Sequence, residues 1–189
     1  MNNGVFSDFE LDQLGIKFKS KTEYQSVNCV GSCEEEMESK IITKACRGIV
    51  FKKIVKGTGN GTLKITAHIP WAVYTEFYGM ELDTLIEGVK AYGRNSVHES
   101  FGAVMHVNDE DGAEKFKAYP NCIIESGVVR KIENGAEEVA ELELNASVMP
   151  DEYGNGLYEA LASELTDESV KTAWMTAFTP ELVQKEPSA

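Results

Sequence analysis

The chain has 189 residues and a formal net charge of −13, from 18 Lys and Arg against 31 Asp and Glu. A surface this acidic repels phosphate backbones, which argues against a nucleic-acid-binding protein that works by counterion release. Hydrophobic residues make up 42% and charged residues 26%, a composition typical of one globular domain. No apolar run approaches the ~20 residues of a membrane-spanning helix, and the first residues lack the basic and apolar regions of a signal peptide. We therefore expect a soluble protein made in the cytosol, with no membrane partner.

Cysteines and histidines are scattered along the chain, at Cys29, Cys33, Cys46 and Cys122 and at His68, His98 and His106. The spacing of Cys29 and Cys33 is within the range of a zinc finger, but no second pair completes a four-thiolate site. A disulfide between these two residues would need an oxidising compartment, which nothing in the sequence implies. No nucleophile motif surrounds any Ser or Cys. The sequence therefore predicts free thiols, no metal, no cofactor and no enzymatic activity.

The first part of the chain is predicted to be irregular on either side of a short strand. Residues 1–20 mix apolar anchors with polar residues and are expected to form an N-terminal arm, packed on its own domain or reaching a neighbour. A strand over residues 22–28 follows. Residues 29–46 are predicted to be a long loop, since their acidic stretch is a poor candidate for a core; it contains Glu34, Glu35, Glu36 and Glu38. Such a segment is either a solvated loop or one that becomes ordered against a partner.

A β-rich stretch over residues 41–55 has apolar residues on both faces, which is typical of a strand covered on both sides. Gly57, Gly59 and Gly61 come next, and alternating apolar residues follow from Leu63 to Ile69. A phosphate-binding loop needs a helix after the glycines, and here a strand follows. The glycines are therefore predicted to form a hairpin turn.

The segment 70–79 is predicted to be a helix that begins after Pro70 and ends at Gly79. Four aromatic side chains share one face of this helix: Trp71, Tyr74, Phe77 and Tyr78. An aromatic stripe at helical spacing usually packs in a core. We therefore expect the helix to cover one side of a sheet.

Three more strands are predicted, over residues 96–107, 121–132 and 140–148, joined by turns at 108–112 and 133–135. The last strand alternates apolar residues with Glu141, Glu143 and other polar residues, so one of its faces is expected to be wet and acidic. Residues 166–169 are predicted to cap a helix that runs through Phe178, with an extended arm as the alternative. The domain is thus expected to span residues 21–165, with a C-terminal helix or arm over 166–189.

Two segments together resemble the major tail tube proteins of long non-contractile-tailed, siphovirus-like bacteriophages. The first runs from Val50 to Pro70, VFKKIVKGTGNGTLKITAHIP, and the second is the late strand that ends in ASVMPDEYG at Gly154. The resemblance extends over roughly residues 40–160. It consists of the order of the predicted elements and their general residue pattern, and it includes no catalytic signature.

This resemblance implies a mainly β protein, a β-sandwich or partial barrel with one flanking helix. Such proteins assemble as hexameric rings that stack into a hollow tail tube. The implied partners are further copies of the chain and other tail proteins: the tape measure, the tail terminator and the distal tail protein. Double-stranded DNA would pass through the tube without specific binding, and the protein would reside in the virion. The acidic residues then fall into candidate lumen-lining residues (Glu137, Glu141, Glu143) and candidate assembly residues in the loop (Glu34, Glu35, Glu36, Glu38).

Two alternatives stay open at the level of sequence. One is a monomeric β-sandwich module that binds carbohydrate or protein and exposes Trp71, Tyr74 and Tyr78 as a platform. The other is a small metalloprotein that uses the cysteines.

Overall fold

The computed structural model describes residues 6–27, 29–132, 134–135 and 139–185. Within them the chain forms eight β-strands, two α-helices and one short 3-10 helix. In chain order they are β1 (Glu10–Phe18), β2 (Gln25–Val27), β3 (Val30–Cys46), β4 (Ile49–Ala67), α1 (Trp71–Phe77), β5 (Phe101–Asn108), β6 (Glu114–Ile124), β7 (Leu142–Val148), β8 (Tyr158–Leu161), α2 (Glu168–Ala177) and the 3-10 helix Pro180–Val183.

The strands form a single antiparallel sheet in the order β2-β1-β5-β6-β7-β4-β3, with β8 paired to β6. The sheet curls far enough to bring β1 near β3. These two strands are not hydrogen-bonded to each other, so the sheet is open and a seam separates them. The predicted mainly β class is confirmed, as an open sheet and not a closed barrel.

Apolar residues cover both faces of the middle of the sheet. On the inner face, alternate residues of β1, β4, β5 and β7 pack with α1 around side chains such as Phe18, Phe77 and Phe101. On the outer face, α2 places Trp174 and Phe178 over β5 and β6. The two helices thus lie on opposite faces of one sheet, and β5 is buried on both.

The N-terminal arm predicted over residues 1–20 is wrong for residues 10–18, which form β1 between β5 and β2. Leu14, Ile16 and Phe18 are at most 1% exposed. Their period of two is that of a half-buried strand, and β5 supplies the partner that the local sequence does not reveal. Residues 1–5 lie outside the described residues.

The loop predicted over residues 29–46 is also wrong, because β3 occupies nearly all of it and pairs with β4. The connecting turn is Arg47–Gly48, with φ of +50° and +80°, between the paired residues Cys46 and Ile49. Two successive residues with positive φ match the right-handed twist of a hairpin. The stretch 41–55 therefore contains a turn in place of one continuous strand.

Gly57, Gly59 and Gly61 lie inside β4, so the hairpin turn predicted there is wrong. The register between β3 and β4 shifts at this point, as at a β-bulge. A Cβ atom on Gly59 would lie 2.7 Å from the carbonyl oxygen of Gly154, and φ there is +79°. The glycines thus allow a bulged strand to pass close to neighbouring backbone.

The helix predicted over residues 70–79 is confirmed as α1, with Pro70 at its N-cap and Gly79 at φ +54°. The C-terminal helix is confirmed as α2, where the Asp167 side chain accepts a hydrogen bond from the Ser169 amide. The strand predicted over 140–148 corresponds to β7. The strand predicted over 121–132 is wrong in position, because β6 begins at Glu114, soon after the turn that follows β5, and ends at Ile124.

Candidate assembly surfaces

The outer half of the β3–β4 hairpin, residues 39–58, extends beyond the rest of the sheet; we call it the ribbon. It is two strands wide because β7 pairs with β4 only from Gly61 to Ala67. Six large apolar side chains of the ribbon are 45–71% exposed: Ile41, Ile42, Ile49, Val50, Phe51 and Val55. An isolated two-stranded hairpin is marginally stable in water, and exposed apolar patches of this kind mark interaction sites.

The ribbon is also the basic part of an acidic protein. It carries six of the 18 basic residues and none of the 31 acidic ones. Lys40 lies directly opposite Lys56, and Lys44 lies directly opposite Lys52. None of these basic side chains forms an ion pair among the described residues. Like charges that face each other across two strands are destabilising unless a counter-charge is supplied.

The inner half of β3 is acidic and lies at the edge of the sheet. Glu34, Glu36 and Glu38 are exposed, and we call these three residues the acidic edge. Their carboxylates form no ion pair among the described residues: Lys64, which faces Glu34 across the ladder, binds Glu143 at 3.4 Å. An edge strand presents unpaired backbone groups, so this edge offers both hydrogen bonds and negative charge.

Glu35 alternates to the inner side, where it belongs to an ion cluster at the seam between β1 and β3. The Nζ of Lys117, a residue only 5% exposed, donates to Asp8 at 2.6 Å and to Glu35 at 2.7 Å. Burial alone would lower the pKa of Lys117, but the two carboxylates outweigh it and raise that pKa above its ordinary value. The cluster ties the segment before β1 to β3 across the open seam.

A cavity of about 280 Å³ lies beside this cluster and is lined in part by Cys33, Met105 and Tyr119. Burial raises the pKa of the Cys33 thiol to about 12. At neutral pH this thiol is protonated and is a poor nucleophile. The described residues contain no group of three or more His, Cys, Asp or Glu side chains arranged to hold a metal ion. Their cysteines are free thiols.

The aromatic face of α1 divides into buried and exposed parts. Tyr74, Phe77 and Tyr78 are at most 2% exposed, as predicted. Trp71 is 56% exposed, so its predicted place in the core is wrong. It is the first residue of α1 and stacks against Tyr74, while the Arg130 guanidinium lies 5.3 Å from its ring centre. Helical spacing identifies the aromatic face of α1. It does not show that Trp71, at the start of the helix, lies largely outside the core.

Two of the three predicted lumen-lining residues, Glu141 and Glu143, lie on or beside the outer face of β7. Glu141 and Glu143 are exposed, and Glu143 pairs with Lys64. Glu137 lies outside the described residues. The structure thus brings the two described carboxylates together on a wet face that also borders Glu125, whose carboxylate accepts a hydrogen bond from Ser147.

Apolar side chains are also exposed in two loops away from the ribbon. Ile86 and Val97 lie between α1 and β5 and are 83% and 77% exposed. Ile132 and Val139 lie between β6 and β7 and are 90% and 81% exposed.

The sequence analysis did not predict that these loop residues and the ribbon lysines would be exposed surface features. Counting charge in windows along the chain would have found the basic stretch of the ribbon, since residues 39–58 contain no carboxylate.

No family model matches the chain, and no curated protein matches it. Among solved structures it is similar to a cryo-EM structure of the anti-feeding prophage cap, the cap that terminates the AFP tube. The two chains are 11% identical, with a TM-score of 0.49, over 86% of this chain and 100% of that one. At this score the similarity carries no argument about function. No helix among the described residues is long and apolar enough to cross a membrane.

Proposed function

We propose that this chain is a structural virion protein that self-assembles into the hollow tail tube of a long-tailed bacteriophage. Its unit is a hexameric ring, rings stack into the tube, and the protein catalyses no reaction. Its other partners are the tape measure, the tail terminator and the distal tail protein. Double-stranded DNA passes through the lumen without being bound. The sequence resemblance of residues 40–160 supports this proposal.

The observation that carries the proposal is the ribbon. It exposes apolar side chains on both faces and has two free backbone edges, which no described element of the chain covers. A monomer gains little from such an extension, since a bare two-stranded hairpin is marginal in water. A neighbouring copy can bury both faces and pair with the edges, and head-to-tail contacts of this kind generate rings and filaments.

The acidic face of β7 fits the same proposal. If Glu141 and Glu143 line the lumen, they repel the phosphates of passing DNA and keep the passage free of salt-dependent binding. Changing both residues to Lys distinguishes a lumen lining from an ordinary solvated face, because only a lumen lining would then hold passing DNA.

The direct test removes the ribbon without disturbing the sheet. Ser39 and Gly57 are cross-strand partners, so residues 40–56 can be replaced by an Asn-Gly turn. We expect the shortened protein to melt at nearly the wild-type temperature, because the deleted side chains lie outside the core. Negative-stain microscopy of concentrated protein should show rings or tubes for the wild type and none for the shortened chain.

Two outcomes would contradict the proposal. One is a wild-type chain that stays monomeric at all concentrations tested. The other is a shortened chain that forms the same tubes as the wild type.

The alternative of a carbohydrate- or protein-binding module loses its predicted platform, since Tyr74 and Tyr78 are buried and Trp71 alone is exposed. In that alternative, Trp71→Ala would abolish binding of a ligand by the monomer. In the proposed function, the same variant still assembles.

A further inference from the structure

One face of the ribbon carries an electrostatic arrangement that the isolated chain does not satisfy. Two rungs of facing lysines, Lys40 with Lys56 and Lys44 with Lys52, flank the facing pair Ile42 and Ile54. These four lysines are exposed and form no ion pair among the described residues. Because facing like charges destabilise a strand pair, this lysine face is expected to have an anionic partner.

Most of the acidic edge lies too far along β3 to reach the lysines nearest the tip of the ribbon. Glu38 is only two residues from Lys40, about 7 Å along the strand, yet the two side chains form no ion pair among the described residues. Lys44 is eight residues from Glu36 along β3, and a strand rises about 3.3 Å per residue, so the two are separated by about 26 Å. A lysine side chain spans only a small part of that distance. The regular ladder from Ser39 to Lys44 also prevents the ribbon from folding back on its own base. The carboxylates that neutralise Lys44 and Lys52 must therefore come from another molecule.

We propose that the lysine face of one copy's ribbon binds the acidic edge of the next copy. This inference rests on the proposed function and identifies the surface that receives the ribbon. Glu34, Glu36 and Glu38 meet the requirement because they are exposed, lack an ion pair among the described residues and lie on an edge strand. A hairpin that is acidic at its base and basic toward its tip gives a head-to-tail contact, so each copy can donate a ribbon and accept one.

A second copy is favoured over a nucleic acid as the partner. The chain as a whole carries −13, so a phosphate backbone that approaches the ribbon meets repulsion from the body of the protein. The acidic body of another copy is attracted to the same ribbon.

The test exchanges charges between the two surfaces. One variant reverses the lysine face, with Lys40, Lys44, Lys52 and Lys56 each changed to Glu. A second reverses the acidic edge, with Glu34, Glu36 and Glu38 each changed to Lys. Each variant alone places like charges in contact, and we expect the concentration needed for assembly to rise at least about a hundredfold. Mixing the two variants, or combining all seven changes in one chain, restores opposite charges and should restore assembly.

A matched control changes Glu87, Glu110 and Glu164 to Lys. These exposed residues lie away from both surfaces, and the change in net charge equals that of the edge variant. The control should assemble like the wild type. Circular dichroism and thermal melting should show that all variants fold, since none of the changed residues is buried.

The results separate this inference from the proposed function. A wild type that never assembles contradicts the proposed function. A wild type that assembles equally well with either surface reversed overturns the inference alone. The inference is also overturned if neither the mixture nor the combined chain assembles. It is overturned as well if the wild type shifts duplex DNA in a gel, and reversing the lysine face abolishes that shift while assembly persists.

Discussion

Replacing Phe77 with Ala should lower the free energy of unfolding by about 3–5 kcal/mol, the usual cost of truncating a buried Phe. Phe77 is fully buried on the inner side of the sheet. Its ring meets Phe18 at 5.0 Å and Phe101 at 4.7 Å between ring centres, both edge to face. Each such aromatic pair contributes about 0.5–1.5 kcal/mol beyond area burial. The expected loss for Phe77→Ala therefore lies in the upper part of the range of about 3–5 kcal/mol.

Trp71→Ala is the matched control, since it removes a larger aromatic ring from the same helix. Trp71 is 56% exposed, so we expect a loss of about 1 kcal/mol or less, typical of surface positions. Urea unfolding followed by circular dichroism measures both variants. The control also distinguishes burial from a general effect of truncating aromatic residues in α1. Equal losses for the two variants, or a loss below about 1 kcal/mol for Phe77→Ala, would refute the packing described here.

Two further predictions concern charge. Changing Glu141 and Glu143 to Lys should leave folding and tube formation nearly intact, since exposed charges rarely contribute more than ~1 kcal/mol, while genome ejection slows most at low ionic strength. Normal ejection kinetics in assembled Lys-substituted tubes at low salt would reject β7 as the lumen lining. Burial alone would raise the pKa of Asp8, but its bonds to Lys115 and Lys117 outweigh this and hold it below the ordinary 3.8. Ionised Asp8 therefore stabilises the fold above pH 3.8, and this stabilisation is lost as the pH falls through its lowered pKa. In urea unfolding at a series of pH values, Asp8→Asn should make the free energy of unfolding depend less on pH below about pH 4. An unchanged pH dependence would contradict this prediction.

Local patterns were enough to predict the elements whose partners lie close in sequence or whose ends carry their own signals. The helix α1 follows from Pro70, Gly79 and the aromatic spacing. The cap of α2 follows from Asp167, and β7 follows from strict alternation. Each of these signals acts within a few residues, so it can be interpreted without knowledge of the rest of the chain.

The errors occurred where a distant partner decides the outcome. The inner half of β3 is acidic and does not look like a strand, because it lies at the edge of the sheet and most of its side chains are exposed. β3 is a strand because β4 supplies hydrogen-bonding partners along nearly its whole length, with register shifts at three places. The glycines of β4 resemble a turn, yet they serve a bulge and a close approach to the backbone near Gly154. The sequence shows where glycines occur, but only the fold shows that Gly59 is needed for a positive φ and for close packing against neighbouring backbone.

By itself, the sequence determined the mainly β class, the acidic character of the protein, the aromatic helix and the N-terminal cap of α2, because composition, short-range periodicity and local capping signals encode them. Tertiary structure alone decided that residues 10–18 join the sheet, that Lys117 lies between Asp8 and Glu35, and that residues 39–58 extend beyond the rest of the sheet. The physical reason is that strand pairing and charge neutralisation are contacts between residues far apart in the chain, whose energies depend on which groups the fold brings together.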